Sequence, residues 1–427
     1  MSAVQPLMPA RYAGWVALSG FANAAVSASC AAIALPLLVA VLGVERYGQW
    51  AVLGLFVTTA AALDLGLSRA LVLQCAAQPP ARVREFATAA ALIAGVVAAC
   101  AVGALVFAAL TGFSFGLAEG VMTPAIAMAG ASILALGMLN AVMRAVLESQ
   151  MAVHWVNLGY LLQTALLYGF TLAAALLWPA ALLPASVAAF GLVAILNASL
   201  LSRLGVLAPR RPKRAALDAM LASTRESFLL AVPTAFLPPL TAFLALSHST
   251  GPAQYAVFDL ALRIATLGAT LLSGLAVPML AAAARSRATG GTEAALDRLT
   301  IRYLAVGWSL LVAGILVYTL VGARLVAWVF PAAGPGLYPI AGVLLAGMGV
   351  LAASEGAIRA VSASSAPGPV FWARLAILAL VAGAGGLAWS AGGMKAFATT
   401  YALASVAGAA VVLGAWIRRR PPTSGRP

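Results

Sequence analysis

Charged side chains are scarce in this chain of 427 residues. Only 8% of the residues are Asp, Glu, Lys or Arg, whereas 63% are hydrophobic and the mean hydropathy is +1.02. A soluble domain carries about 25% charged residues. This composition therefore excludes a water-soluble globular protein and predicts an integral membrane protein.

The residues that support catalysis are also few. The chain has 11 Asp and Glu residues and two His, and it contains no Walker A, GxGxxG, HExxH or CxxC motif. We therefore expect no enzyme, no ATP-driven transport within the chain, no metal site and no bound cofactor. Cys30, Cys75 and Cys100 all fall in predicted spans, where we expect them to pack as small apolar residues.

Long apolar segments account for nearly all of the sequence. A helix needs about 20 apolar residues to cross roughly 30 Å of hydrocarbon. With breaks placed at charges, Pro-Gly clusters and polar runs, the sequence predicts an all-α protein with twelve transmembrane helices. They lie near residues 13–41, 50–76, 86–110, 121–146, 154–177, 183–202, 227–247, 254–283, 302–322, 338–358, 370–389 and 395–417.

The basic residues alternate in density between successive connections. If the N-terminus is cytoplasmic, 20 of the 25 Lys and Arg residues fall on the inner side, and only Arg46, Arg324 and Lys395 fall on the outer side. Positive residues in short loops stay in the cytoplasm, so both termini are predicted to be cytoplasmic. The net charge of +14 then marks a face that contacts anionic lipid rather than a nucleic-acid site.

The polar stretch 203–226 divides the chain into two halves. We predict an N-terminal six-helix lobe at 1–202, a basic cytoplasmic linker at 203–226, a second six-helix lobe at 227–417 and a cytoplasmic tail at 418–427. Apolar residues after 214 recur at helical spacing, so this linker is either an amphipathic helix at the membrane interface or a solvated connection.

A short internal similarity supports a parallel repeat of the two halves. The segments 42–50 (LGVERYGQW) and 250–258 (TGPAQYAVF) each join the first two spans of a half, and they align Gly43 with Gly251 and Tyr47 with Tyr255. Transporters are often built from such repeats, with the substrate bound between them.

Ionisable residues inside spans are the main site candidates, because they are costly in hydrocarbon. Arg69 and Arg263 either line a central cavity and attract an anion or form structural pairs with nearby acids. Asp259 lies one helical turn before Arg263. Asp64 is either a protonation site or a hydrogen-bond acceptor for the backbone or Ser68. We interpret Arg144 with Glu148 as a structural pair near the cytoplasmic interface.

Uncharged polar residues and prolines add further candidates. Asn157, Tyr160 and Gln163 form a stripe that either faces water or holds helices together. Four prolines within spans are either hinges or static kinks; they are Pro36, Pro233, Pro238 and Pro239.

Residues 35–73 contain a characteristic series of motifs: a proline-containing apolar helix, then Leu42-Gly43 and Tyr47-Gly48, and then DLGLSRA at 64–70. This series resembles the opening of Wzx-type polysaccharide flippases. The end of the fourth span, with Arg144, Leu147, Gln150 and Asn157, is similar to the same family.

The resemblance implies membership of the multidrug/oligosaccharidyl-lipid/polysaccharide (MOP) exporter superfamily. The expected fold is a V of two six-helix bundles around a central cavity in the bacterial inner membrane. The expected function is to flip a polyprenyl-pyrophosphate-linked oligosaccharide to the outer leaflet by alternating access, with Arg69 and Arg263 engaging the pyrophosphate. Asp64 or Asp259 would be linked to a proton or sodium ion.

Two other functions remain open at this point. One is an ion-coupled drug antiporter of the same superfamily, although such antiporters usually carry an acid in span one or seven and neither span here has one. Lipid II flippases generally have fourteen spans and a basic cluster in span one, which is also missing. The other is a non-transporting scaffold for glycan assembly. Expected partners are membrane lipid, a glycan polymerase and glycosyltransferases but no nucleic acid, and we expect a monomer.

The charge asymmetry predicts which residues a membrane-impermeant reagent reaches. In a cysteine-free background, a maleimide of this kind should label Lys395→Cys in intact cells, and should label Arg211→Cys only after permeabilisation. Labelling of Arg211→Cys in intact cells would contradict the orientation.

Overall fold

The protein is all-helical in a computed structural model that describes residues 10–75, 78–111, 122–150, 152–206, 211–275, 293–362 and 368–418. No strand occurs among these residues. The helices are α1 (Ala10–Ala51), α2 (Leu53–Leu63), α3 (Leu67–Cys75), α4 (Pro80–Thr111), α5 (Pro124–Ser149), α6 (Val153–Leu177), α7 (Leu182–Arg203), α8 (Arg214–His248), α9 (Pro252–Leu275), α10 (Glu293–Val329), α11 (Leu337–Ala353), α12 (Glu355–Ser362) and α13 (Gly368–Arg418). Two short 3₁₀ turns lie at Pro179–Ala181 and Pro331–Ala333.

These helices confirm the predicted fold class. Within the described residues, 8 helical stretches are long and apolar enough to cross a membrane. Two of them, Leu18–Leu63 and Gly368–Arg418, each overlap two predicted spans, and the shorter apolar helices Ala235–His248 and Leu337–Ala353 overlap the remaining two. The long helices α1 and α13 break at Gly43 and at Gly392-Gly393, where the sequence predicts the connections between spans.

Some predicted spans differ in their internal structure. Predicted span two is not one helix, because α2 ends at Leu63 and α3 begins at Leu67 after a turn in which Leu65 and Gly66 have positive φ. The predicted linker also differs, since α8 begins at Arg214 and runs without interruption into span seven.

The first turns of α8 pack against the first half of the chain. Ala216 and Met220 are buried in a cluster with Val83, Phe86 and Leu71 of α3 and α4. The second part of the predicted linker is therefore an amphipathic helix, which is one of the two alternatives that the sequence left open. Its apolar face contacts protein, which ties the start of the second half to the first.

Two glycines allow helices of the two halves to approach closely. A Cβ at Gly48 would lie 2.0 Å from the carbonyl oxygen of Pro252, at the start of α9. A Cβ at Gly66, where φ is +82°, would lie 2.8 Å from the carbonyl carbon of Ser227 in α8. Any larger residue at these positions would push α9 or α8 away.

We expect Gly48→Ala to destabilise the protein by about 1–3 kcal/mol, because the added methyl group must displace backbone rather than a side chain. The matched control is Gly95→Ala in α4, where nothing lies within 4 Å of the new Cβ. Thermal unfolding in detergent should show a lower midpoint for Gly48→Ala and an unchanged or slightly higher one for Gly95→Ala. Equal midpoints would contradict the close contact.

Candidate functional site

A cavity of about 560 Å³ lies between the two halves of the chain. The first half contributes residues of α1, α2, α5, α6 and α7, and the second half contributes residues of α8, α9, α11 and α13. Most of the lining is apolar or aromatic; the aromatic residues are Trp50, Tyr168, Phe190, Tyr255, Phe258 and Tyr401. Among the lining residues, one is acidic and one is basic; they are Asp259 and Arg263.

Asp259 and Arg263 form an ion pair within α9. Arg263 Nε donates a hydrogen bond of 2.6 Å to Asp259 Oδ2. Their spacing of four residues places both on the same face of the helix, as the sequence predicts. The pair brings opposite charges into a low-dielectric site without a net charge.

Residues of the first half complete the shell around this pair. The Tyr47 hydroxyl donates a 2.7 Å hydrogen bond to Asp259 Oδ2, and Arg263 Nη1 donates a 3.1 Å bond to the Tyr168 hydroxyl. The Arg263 guanidinium carbon also lies 5.4 Å from the centre of the Trp50 ring, within the range of a cation–π interaction. The ion pair of one half is therefore held by three aromatic residues of the other.

The Trp50 ring is itself fixed by hydrogen bonds. Its Nε1 donates to Ser186 Oγ at 3.0 Å, and Ser186 Oγ lies 3.2 Å from Thr171 Oγ1. Trp50, Ser186 and Thr171 are all buried. This arrangement gives the guanidinium a rigid aromatic wall.

The two members of the pair are not equally accessible. The Arg263 side chain is 25% exposed and the Asp259 side chain 10%, because Tyr47 and Arg263 both cover the same carboxylate oxygen. An anion in the cavity can therefore reach guanidinium N–H groups more easily than a cation can reach the carboxylate.

Asp64 and Arg69 lie elsewhere. Asp64 accepts hydrogen bonds from the Ser68 backbone N–H at 3.1 Å and from the Ser68 hydroxyl at 2.7 Å, as one of its two alternatives predicts, and its role as a protonation site stays a prediction. Arg69 is an exposed residue of α3. Neither residue lines the cavity, and the predicted role of Arg69 beside Arg263 is not supported by this arrangement.

The polar stripe of α6 is organised around Arg144 rather than around the cavity. Gln163 Oε1 accepts a hydrogen bond from Arg144 Nη2, and the Arg144 guanidinium lies over the Tyr160 ring. Asn157 Nδ2 donates to Ser19 Oγ of α1 at 2.8 Å. The stripe therefore joins helices, as one of its two interpretations predicts.

The prolines lie in helices that continue through them. Pro36 is inside α1, whose break is at Gly43, and Pro233, Pro238 and Pro239 are inside α8. Pro238 lines the cavity. Their role as hinges stays a prediction.

No protein-family model matches this chain, and no curated protein matches it. Solved structures do. The chain is similar to an inward-facing multidrug resistance MATE family transporter of the MOP superfamily, with a TM-score of 0.71, 15% identity and coverage of 93% of this chain and 98% of the other. It is also similar to the lipid II flippase MurJ in an inward closed conformation, with a TM-score of 0.68, 11% identity and coverage of 95% and 88%.

A further similar structure is a MOP superfamily transporter from Pyrococcus furiosus, whose binding pocket is described as having reverse polarity. Here the TM-score is 0.60 and the identity 15%, and 95% of each chain is covered. At these identities the similarity establishes the fold of MOP superfamily transporters. The matched proteins are described as transporters and a flippase.

Tyr47 should stabilise the protein through its bond to the buried carboxylate. A hydrogen bond to a charged group contributes about 1.5–3 kcal/mol, so we expect Tyr47→Phe to lower the thermal midpoint in detergent. The matched control is Tyr255→Phe at the equivalent position of the repeat, because the Tyr255 side chain is also buried but its hydroxyl makes no hydrogen bond with another described residue. Equal effects of the two substitutions would contradict the role of the Tyr47 bond.

Proposed function

We propose that this protein is a flippase that moves a polyprenyl-pyrophosphate-linked oligosaccharide from the cytoplasmic to the periplasmic leaflet by alternating access. It would act in the bacterial cytoplasmic membrane, with both termini inside, during the synthesis of a surface polysaccharide. The fold supports a transporter, and the residues of 35–73 that resemble Wzx-type flippases support this substrate class.

The observation that carries the proposal is the position of Arg263 in the cavity. Its guanidinium is anchored on one side by Asp259 and Tyr168, and its side chain remains the more exposed member of the ion pair. Guanidinium is always charged and matches phosphate oxygens with a planar set of donors. A pyrophosphate group suits this site better than an organic cation does.

Asp259 would tune the binding in this mechanism. An unpaired guanidinium would hold a pyrophosphate tightly in a site of low dielectric, which would oppose release on the far side. A carboxylate that competes for the same guanidinium weakens the binding, and protonation of that carboxylate would strengthen it. Of the two coupling-ion candidates, Asp259 touches the proposed anion-binding group, whereas Asp64 contacts Ser68.

The aromatic residues of the cavity would contact the sugar. Aromatic faces combine apolar contact with little loss of conformational entropy, and Trp50 and Tyr168 stand directly beside Arg263. Sugar rings next to the pyrophosphate would therefore meet aromatic rings.

A drug antiporter is the second candidate, and the observation that favours it is the similarity to MATE transporters over nearly the whole chain. The largely apolar and aromatic lining of the cavity would also suit a drug molecule. The limited access to Asp259 argues against a cationic substrate, because the carboxylate is covered by Tyr47 and Arg263. A scaffold for glycan assembly would need no such cavity.

Replacement of Arg263 provides the test. In proteoliposomes, Arg263→Ala should slow the leaflet transfer of a fluorescent polyprenyl-pyrophosphate-linked sugar by at least about tenfold, because charge-assisted hydrogen bonds to the substrate are lost. Arg263→Lys, which keeps the charge but not the planar donors, should have an intermediate effect. The matched control is Arg324→Ala, which removes an exposed arginine of α10.

Three outcomes would contradict the proposal. If Arg263→Ala transfers the lipid-linked sugar at the wild-type rate, Arg263 is not part of the substrate site. Transport of a lipophilic cationic dye by the wild type, without transfer of the lipid-linked sugar, would favour the antiporter. No acceleration of either process over empty vesicles would favour the scaffold.

A further inference from the structure

Arg144 is a buried cation without a carboxylate partner among the described residues. It lies on α5 and is only 6% exposed. Glu148 follows one helical turn later, but no ion pair joins the two. The interpretation of Arg144 and Glu148 as a structural pair is therefore wrong, since Arg144 turns into the helix bundle while Glu148 is exposed.

Neutral groups hold the guanidinium in place. Its carbon lies 3.8 Å from the centre of the Tyr160 ring, and Nη2 donates to Gln163 Oε1 and, at 3.5 Å, to the carbonyl oxygen of Gly159. Arg144 Nε is buried and has no hydrogen-bond partner. These contacts position the charge, but none of them neutralises it.

An uncompensated charge buried among helices is costly to keep. A charged side chain within a span costs a few kcal/mol or more, so such residues usually face a cavity, a pathway or a partner. A well-packed apolar residue of similar volume is often as stable as a buried ion pair. Stability alone therefore gives no reason for an arginine here. The Asp259–Arg263 pair is different because it is neutral as a unit.

The residues of α6 that contact Arg144 lie close along the helix to a residue that lines the central cavity. Tyr160 is one helical turn before Thr164 and Gln163 is directly before it, and Thr164 lines the cavity. The Thr164 hydroxyl also donates to the carbonyl oxygen of Tyr160. Arg144 lies on the predicted cytoplasmic side of these residues.

The Tyr160 ring covers the guanidinium. Tyr160 is 45% exposed, whereas Arg144 beneath it is almost inaccessible. Rotation of the Tyr160 side chain would therefore uncover the guanidinium group.

We propose that Arg144 binds a phosphoryl anion at the predicted cytoplasmic end of the cavity and that the Tyr160 ring covers this site when it is empty. The ligand is either the head group of the lipid-linked substrate, in which case the inference rests on the proposed function, or a free phosphate. The planar donors of arginine suit both. The anion would supply the charge that the described carboxylates do not.

A binding measurement on the full chain tests this site separately from transport. The protein in phosphatidylcholine nanodiscs is titrated at constant ionic strength with inorganic phosphate or inorganic pyrophosphate, or assembled with undecaprenyl pyrophosphate. The main variant is Arg144→Met/Gln163→Leu, because removal of both partners of a buried hydrogen bond can be nearly neutral for stability. Microscale thermophoresis gives the affinity, and thermal unfolding gives the stability.

We expect the double variant to keep a thermal midpoint near that of the wild type and to bind its phosphoryl ligand at least about tenfold more weakly. Tyr160→Ala should bind more tightly, because the cover is removed, and Tyr160→Phe should bind like the wild type. Arg302→Gln, which removes an exposed arginine on the same predicted side, should also bind like the wild type. Loss of inorganic phosphate binding identifies a free anion as the ligand, and loss confined to undecaprenyl pyrophosphate identifies the lipid head group.

Unchanged affinity of the double variant for all three ligands would overturn the inference. If that variant does not fold, the result for Tyr160→Ala decides, and an affinity equal to or weaker than the wild type would overturn it. Loss of binding in Arg263→Ala but not in the Arg144 variant would overturn this inference and leave the flippase proposal intact. If binding depends on Arg144 but the wild-type protein shows no leaflet transfer, the Arg144 inference stands and the flippase proposal fails.

Discussion

The ion pair between Asp259 and Arg263 is the contact around which the two halves of the molecule are arranged. Both residues belong to α9, yet the groups that hold them are Tyr47 and Tyr168 of the first half. The same guanidinium lines the cavity, so one of the contacts between the halves is also a group that a ligand would meet. In the proposed mechanism, an anion that competes with Asp259 and Tyr168 for the N–H groups of Arg263 would weaken the link from α9 to Tyr168. Substrate binding and the relative position of the halves would then be coupled through a single guanidinium, which is what differential binding to two conformations requires.

The sequence predicts the elements of this fold better than it predicts their contacts. Hydropathy locates the spans because each must be apolar over the thickness of the bilayer, and glycines mark the breaks in α1 and α13. The pairing of Asp259 with Arg263 follows from helical spacing. The bond from Tyr47 to Asp259 does not, because it joins residues 212 positions apart, and no local pattern encodes such a contact. The aligned tyrosines Tyr47 and Tyr255 give the only local indication that this position matters in both halves.

Arg144 shows the opposite case, in which a local pattern predicts a pair that is absent. Spacing of four residues allows Arg144 and Glu148 to meet, but side-chain direction also depends on what surrounds the helix. Arg144 points toward α6, where Tyr160, Gln163 and Gly159 offer a ring face and two oxygens, while Glu148 remains exposed near the end of α5. The two arginines therefore differ in their electrostatic environment. Arg263 forms a neutral pair with Asp259, whereas Arg144 has no carboxylate partner among the described residues and keeps its positive charge. A long-range attraction for anions would come mainly from Arg144, and short-range recognition from Arg263 and its aromatic neighbours.

The size of the cavity limits which part of a lipid-linked substrate the protein can enclose. A volume of about 560 Å³ is within the range of about 300–1,000 Å³ typical of pockets for small molecules, and it is far too small for a long polyprenyl chain. The polyprenyl chain would also gain little by entering the cavity, because the bilayer is already as apolar as the cavity wall and no hydrophobic driving force remains. The pyrophosphate and the first sugars, in contrast, are costly to place in hydrocarbon. In the proposed function, the protein would therefore need to enclose only the polar part while the lipid stays in the membrane, and the arginine and aromatic residues of the cavity would contact that part.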